Sequence, residues 1–204
     1  MTQRVSIRST LEVPARNKLV AFETLFERWN QSINLSAART RDEIVEHVDD
    51  SLHVVPHVGV DARVLDVGAG GGFPAVVIAI CRPLAHVTAL EPVHKKHAFL
   101  RTVARELELS NLDPLAERSE DHAPRDYDVA TSRATLDLRD WLALGLTLVR
   151  PGGHVLGFEA IERTDLPPTT TRYPYELAGK QRAIVSVQRT LESPDSFDPA
   201  DALP

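Results

Sequence analysis

Asp66-Val67-Gly68-Ala69-Gly70-Gly71-Gly72-Phe73-Pro74 is a stretch whose residue types suit ligand binding more than packing. It follows the apolar run Arg63-Val64-Leu65 and leads into another from Ala75 to Ile80, the layout of a strand, a glycine loop and a helix start. Glycines at alternate positions let the backbone turn tightly and bring a small molecule against the first turn of that helix, with no Cβ atoms in the way. The dinucleotide pattern G-x-G-x-x-G is not met, because counting from Gly68 its third glycine falls on Phe73. The spacing D-x-G-x-G-x-G, with an acid two residues before the first glycine, fits an S-adenosylmethionine site better. Glu91 ends the next apolar run, His86 to Leu90, where a carboxylate can accept hydrogen bonds from both ribose hydroxyls. The loop and this acid nominate Asp66, Gly68, Ala69, Gly70, Gly72 and Glu91 as cofactor-binding residues.

Two further segments belong to the same reading. Arg118-Ser119-Glu120-Asp121 follows a weaker strand and is placed to line an adenine; by composition it is equally a solvated turn. Ser132-Arg133 ends the fourth strand, where an arginine can bond a cofactor or an incoming phosphate with two parallel donors, which lysine cannot do. No nucleophile constellation competes, and the eight histidines show no H-x-x-x-H pair with a third ligand in register, so no metal site is expected. His94 and His97 lie one helical turn apart beside Lys95 and Lys96, a basic helix face that suits either solvent or substrate.

The elements that must hold these residues read as an α/β succession. Pro14 to Gln31 is an amphipathic helix with Leu19, Phe22, Phe26 and Trp29 on its core face. Thr40-Arg41-Asp42-Glu43 is a capping box opening a second helix, whose Ile44, Val48, Leu52 and Val55 share one face until Pro56. Strands then alternate with helices: Val64 to Val67, a helix to Cys81, His86 to Glu91, a helix from His94 to Leu107, and a strand from Leu112 to Ala116. A strand from Tyr127 to Ser132, a helix from Leu136 to Val149 closed by Pro151-Gly152-Gly153, and a strand from His154 to Phe158 complete the parallel part. Arg172 to Leu177 and Ala183 to Gln188 are expected to close the sheet as an antiparallel pair. The reading divides the chain into N-terminal helices (1–60) packed on a core (61–190), with a disordered tail (191–204) rich in Asp, Pro and Ser.

Bulk composition narrows the function classes. With 43% hydrophobic and 25% charged residues among 204, the chain suits one domain with appendages. Its apolar runs fall far short of the ~18 to 20 residues of a membrane span, and the polar N-terminus does not have the layout of a signal peptide. Cys81 is the only cysteine, a buried thiol by its place, which fits a reducing cytoplasm. A formal charge of -6 argues against indiscriminate nucleic-acid binding, so any RNA contact must be local.

Taken together, Ile33-Asn34-Leu35-Ser36, His47-Val48-Asp49-Asp50-Ser51-Leu52, the loop from Asp66 to Pro74, Lys95-Lys96-His97-Ala98-Phe99-Leu100, Arg118-Ser119-Glu120 and Ser132-Arg133-Ala134 resemble the bacterial 16S ribosomal RNA guanine-N7 methyltransferase G family, also known as glucose-inhibited division protein B. The likeness is collinear from about Phe22 to Phe158. It implies a class I S-adenosylmethionine-dependent methyltransferase, with a Rossmann-like, mostly parallel seven-stranded sheet and an N-terminal helical extension. It also implies methylation of guanine N7 in the 530 loop of 16S ribosomal RNA, with the RNA or the small ribosomal subunit as partner and the protein acting as a cytoplasmic monomer. By the same resemblance Gly68 and Phe73 contact the methionine and ribose end of the cofactor, and Ser119 and Glu120 the adenine. Arg133, the candidate catalytic residue, meets the methionine end or the RNA. Asn34, Lys95 and Lys96 are candidate substrate contacts. Asn34, His47 and Asp50 sit in a segment over the cleft, although by residue type Asn34 also reads as a turn residue and Asp50 as a helix-surface acid.

One departure from the family is visible. Where the fifth strand ends, the family usually has a lysine followed by glycine, and this chain reads Gly157-Phe158-Glu159-Ala160. An anion there is expected to repel RNA phosphate. That leaves two alternatives beside the RNA enzyme: a small-molecule methyltransferase of the same fold, and a non-catalytic S-adenosylmethionine-binding protein.

Overall fold

Hydrogen bonding between strands fixes the architecture. The computed structural model describes residues 7–123, 125–133 and 136–190; the tail expected to be disordered lies outside them. Arg63–Val67 (β1), His86–Leu90 (β2), Leu112–Leu115 (β3), Tyr127–Ser132 (β4), Val149–Glu159 (β5), Thr171–Leu177 (β6) and Lys180–Gln188 (β7) form one sheet in the order β3-β2-β1-β4-β5-β7-β6. The first five strands pair in parallel, and β7 runs antiparallel to both β5 and β6. The chain winds outward from β1 to β3 and then returns to lay β4 on the other side of β1. That reversal opens a crevice beyond the carboxyl ends of β1 and β4, where ligands bind in open α/β sheets. The expected mostly parallel sheet closed by an antiparallel pair is what the chain forms.

Strand alternation divides the interior into two layers. Val64, Val87, Ala89 and Val129 face the layer shared with α2 (Val13–Ile33), α3 (Arg41–Leu52), α4 (Ala75–Cys81) and α5 (His94–Glu106), which follow the short α1 (Ile7–Thr10). Leu65, Val67, Ala130 and Val155 face α6 (Leu138–Leu146) on the other side. The stripe on α2 points inward as its spacing requires: Leu19, Phe22 and Phe26 are fully buried, and Trp29 packs on Phe99 with ring centroids 5.6 Å apart. Phe22 and Phe26 also meet Phe73, at 5.3 and 5.0 Å, so α2 is packed directly on the glycine loop. Buried Glu23 joins the first three helices by accepting from Arg8 at 2.6 Å and from Arg41 at 3.1 Å.

Local chemistry sets the element ends. Thr40 Oγ1 accepts from Glu43 N, and Glu43 returns its carboxylate to the Thr40 N–H, which is the expected capping box. α3 stops at Leu52, short of the expected Val55, because Pro56 belongs to a separate 3-10 turn, Val55–His57. α6 is also shorter than its apolar run: Asp137 caps its start, Thr147 closes it, and Val149 already pairs with Tyr127 in the sheet. Pro151-Gly152-Gly153 therefore lies inside an irregular β5 rather than after a helix, as the register shift between Tyr127 and Val129 records. The β6–β7 turn uses Ala178 and Gly179, both left-handed at φ 48 and 74, the conformation a two-residue hairpin demands. Cys81 is half-buried, and burial pushes its thiol up to about 11. Among the described residues no helix is long and apolar enough to cross a membrane.

Candidate active site

A cleft of about 1080 Å³ opens at the β1–β4 reversal, lined among others by Gly68, Ala69, Gly70, Gly71, Phe73, Glu91, Lys96, Ser132 and Arg133. Its floor is the glycine loop. Gly70 sits at φ 56, a conformation that L side chains rarely adopt, and its N–H donates to Glu91 Oε2 at 2.9 Å. Glu91 Oε1 accepts from Val93 N at 2.8 Å, which ties the end of β2 to the start of α5. The carboxylate is buried beside a helix start, and two of its roughly four acceptor positions are filled by these N–H groups. The remaining two suit a vicinal diol. Gly71 is a glycine for another reason: a Cβ there would stand 2.4 Å from Phe26 Cε2 on α2.

Beneath the loop lies Asp66, with no exposed surface. Its Oδ2 accepts from Ala75 N at 3.0 Å, the first N–H of α4, while Oδ1 meets no partner. Burial pushes its carboxyl up to about 7, against the pull of the Ala75 N–H and of Arg133. Asp66 does not line the cleft; its contact is with the loop's own backbone. Gly72 does not line it either, since its N–H and C=O are used by Ala69 and Val76 to close the turn. Ser132 Oγ donates to Val67 O at 2.8 Å and staples the two strand ends that flank the crevice.

The wall opposite the glycine loop is built from distant parts of the chain. Arg133 lies with its guanidinium 5.0 Å from the Phe73 ring centroid and donates to Asp50 Oδ2 at 3.4 Å, with His47 Nδ1 at 3.5 Å. Asp50 is buried, and its Oδ1 also accepts from Tyr175 Oη at 2.8 Å and Arg182 Nη1 at 3.1 Å. The helix-surface reading of Asp50 is therefore corrected: helical spacing could not show that two strands from the chain's end would cover it. Burial, and next the Arg133 charge, hold the His47 imidazole below its usual range. Burial likewise pulls Arg133 below the usual guanidinium range, opposed first by Asp50; it remains a cation.

Other expected residues stand apart from the cleft. Ser119 and Glu120 do not line it; Ser119 Oγ donates to Glu120, and their loop follows Leu115, whose C=O accepts from Glu91 N at 3.0 Å. That loop is held by buried His122, whose two ring nitrogens meet Glu117 and Tyr127, each at 2.8 Å. Of the α5 lysines, Lys96 lines the cleft and Lys95 is exposed outside it. Asn34 is exposed and left-handed at φ 54, ending α2, while its neighbours Leu35, Ser36 and Ala37 line the cleft.

Glu159 overturns the expectation attached to it. Its side chain is buried, Oε2 accepts from Arg172 Nε at 2.9 Å, and Oε1 accepts from Arg163 N at 2.9 Å and Arg172 Nη2 at 3.3 Å. The charge is balanced locally and presents no bare anion to a phosphate. Residues that pattern reading did not single out also line the cleft, among them Glu46, Leu136, Trp141, Ile161, Arg163 and Arg182. Only pairing over long separations brings them there, and no local spacing signals it.

Comparison with known proteins agrees with this geometry. The model of the rRNA small subunit methyltransferase G family matches residues 15–189. This chain belongs to that family. The Ribosomal RNA small subunit methyltransferase G of Burkholderia vietnamiensis is 40% identical over 158 residues, 74% of this chain and 69% of the relative. The protein of the same name from Burkholderia multivorans is 38% identical over 168 residues, 78% and 74% of the two chains. Among solved structures, an RNA methyltransferase from Salinibacter ruber in complex with S-adenosyl-L-homocysteine has a TM-score of 0.57 at 16% identity, covering 79% of this chain and 99% of that one. Magnesium protoporphyrin IX methyltransferase from Synechocystis with bound SAM has a TM-score of 0.60 at 12% identity, covering 83% and 97%. These two show the fold, that of class I S-adenosylmethionine-dependent methyltransferases. In this methyltransferase G family member Gly70, Glu91 and Arg133 stand around one cleft, and Glu91 accepts there from two backbone N–H groups.

Proposed function

We propose that this protein transfers a methyl group from S-adenosylmethionine to N7 of a guanine in the 530 loop of 16S ribosomal RNA. The observation that carries the reading is the carboxylate of Glu91, buried in the crevice and bonded to the glycine loop with acceptor positions to spare, in a chain of this family. In this reading Gly68, Ala69 and Gly70 bring backbone groups to the cofactor, Glu91 receives the ribose hydroxyls, and Ser119 and Glu120 meet the adenine. Phe73 and Arg133 hold the methionine end, and Asp66 fixes the loop from below by its bond to Ala75 N. Lys96 on the cleft wall, with Lys95 and Asn34 outside it, serves the RNA. The helices before Arg63 act with the core as one unit, closing the cleft through α3, and the protein works as a monomer. A ribosomal substrate implies the cytoplasm.

When bound, S-adenosylmethionine supplies an electrophilic methyl group. Guanine N7 has a free lone pair and no proton, so no side chain need act as a base; positioning carries most of the catalysis. The ring gains positive charge as N7 is alkylated. Phosphates of the RNA favour that charge more in the transition state than before it, since the wall carboxylates Asp50 and Glu46 are already paired with Arg133 and Arg182. The small-molecule alternative rested on the acidic net charge and on the loss of the family lysine, and the pairing of Glu159 with Arg172 takes the repelling anion out of that case.

The test is methyl transfer from labelled S-adenosylmethionine to small subunits lacking the modification, with naked 16S RNA in parallel and N7-methylguanine mapped by chemical cleavage. Label at one guanine of the 530 loop is expected. Cofactor binding without label on either substrate would send the search to small-molecule acceptors.

A further inference from the structure

We propose that Ile161 and Leu136 form an apolar rest for the face of the acceptor guanine and so select an unstacked purine as substrate. The inference deepens the function proposed above and rests on it. Ile161 is 83% exposed and Leu136 47% exposed, yet both line the cleft that also holds Gly68, Glu91 and Arg133. Leu138, Trp141 and Phe158 continue the apolar lining.

These two side chains stand on anchored backbone. Ile161 lies between Glu159, held by Arg172, and Arg163, whose N–H is bonded to Glu159 at 2.9 Å. The Arg163 guanidinium donates to Asp137, the cap of α6 and the neighbour of Leu136, so the two loops are tied to each other. Ile161 and Leu136 are therefore held at one mouth rather than carried on independent loops. An isolated exposed apolar residue needs no explanation. Two of them, on tied loops at the mouth of a methyl-donor cleft, form a surface of the kind a flat ring covers.

Charge and volume point to the same occupant. Arg133, Arg163 and Arg182 line the cleft but are engaged with Asp50, with Asp137 and Asp165, and with Glu46 and Asp50 respectively. Lys96 is on the same wall and can meet a phosphate of the RNA backbone, but a phosphate gripped by these three arginines would have to compete with those carboxylates, whereas a base can lie against apolar side chains without disturbing them. The cleft, at about 1080 Å³, exceeds the roughly 300 to 1,000 Å³ that holds one drug-sized ligand, which leaves room for an acceptor beside the cofactor. Single-stranded nucleic acid offers such unstacked bases to side chains.

The experiment measures KM and kcat with small subunits lacking the modification, together with S-adenosylmethionine affinity by calorimetry and thermal melting, for the wild type, I161A, L136A, I161L and L84A. Leu84 is 72% exposed but precedes β2, at the end of the sheet away from the cleft, and serves as the control. Expected are an increase in KM on the order of 10-fold for I161A and for L136A, the scale of lost apolar contacts in a pocket, with unchanged cofactor affinity and melting. I161L restores the wild-type KM, and L84A matches the wild type. Wild-type kcat/KM in I161A and L136A, or losses confined to cofactor affinity, would overturn the apolar rest alone. A wild-type protein that binds cofactor but leaves the subunit unlabelled would overturn the ribosomal substrate and the guanine occupant with it.

Discussion

Asp66 illustrates how a single side chain can be both necessary to a loop and costly to the fold. Its Oδ2 holds the first N–H of α4, while Oδ1 and the Thr131 Oγ directly across the β1–β4 ladder are both buried without partners. The carboxyl rises from its ordinary 3.8 to about 7 because burial penalises the charged form. The native state thus binds this proton more tightly than the unfolded chain does. Its contribution is full below about pH 4 and declines as pH rises to about 7, above which it is constant. Asn at this position keeps an acceptor for Ala75 N–H and removes the titration. The stability of D66N relative to the wild type should therefore rise by a few kcal/mol across that interval, read as urea midpoints at a series of pH values. A difference that stays flat with pH would mean that Asp66 ionises normally in the fold.

At the scale of elements, the pairing of β5 with the β6–β7 hairpin decides what Glu159 does. The strand end brings a carboxylate to a position with 2% side-chain exposure, and the hairpin returns Arg172 to it from 13 residues away. A lysine here would bury a second cation beside Arg172 and leave the Arg163 N–H without its acceptor. Breaking a buried pair is strongly destabilising, and since Arg172 is one-third exposed, E159K should lower the urea midpoint by less than the loss of a fully buried pair would. The double variant E159K/R172E should recover part of that loss, and a urea-unfolding cycle would show it; strict additivity would dissolve the pair. The same element shows where sequence reading stops. Periodicity and turn chemistry disclosed β1, the glycine loop, the capping box of α3 and the antiparallel pair, because each is governed by residues within a few positions. They could not show that Arg172 neutralises Glu159, nor that α6 would yield Val149 to the sheet, because strand pairing decides both. The glycine loop and the acid at the end of β2 were legible for this reason, whereas the expected Ser119 and Glu120 stand outside the cleft, and the wall assembled from α3, β4, β5 and β7 gave no local signal.

For the whole molecule, Asp50 is the point at which α3 and the β6–β7 hairpin meet over the cleft. It sits on α3 with 5% of its side chain exposed and accepts from Arg133 at the end of β4, Tyr175 on β6 and Arg182 on β7. His53, one turn further on, stacks on Tyr175 with ring centroids 3.8 Å apart. The N-terminal helices are thereby locked to the hairpin that ends the sheet, and Arg133 is held toward Phe73. Asn at position 50 would retain an acceptor for Tyr175 but turn a donor or a neutral oxygen toward two guanidinium groups, one of them deeply buried. A loss of about 3 kcal/mol follows from leaving that charge without its carboxylate. Y175F removes one neutral donor and should cost only about 1 kcal/mol. If Asp50 joins the halves, D50N lowers the urea midpoint while the unfolding remains a single transition, and weakens S-adenosylmethionine binding by calorimetry because Arg133 is no longer fixed at the cleft. Y175F should leave that affinity close to wild type. Equal and small effects from the two variants would mean that packing of α3, rather than its carboxylate, carries the closure of the site.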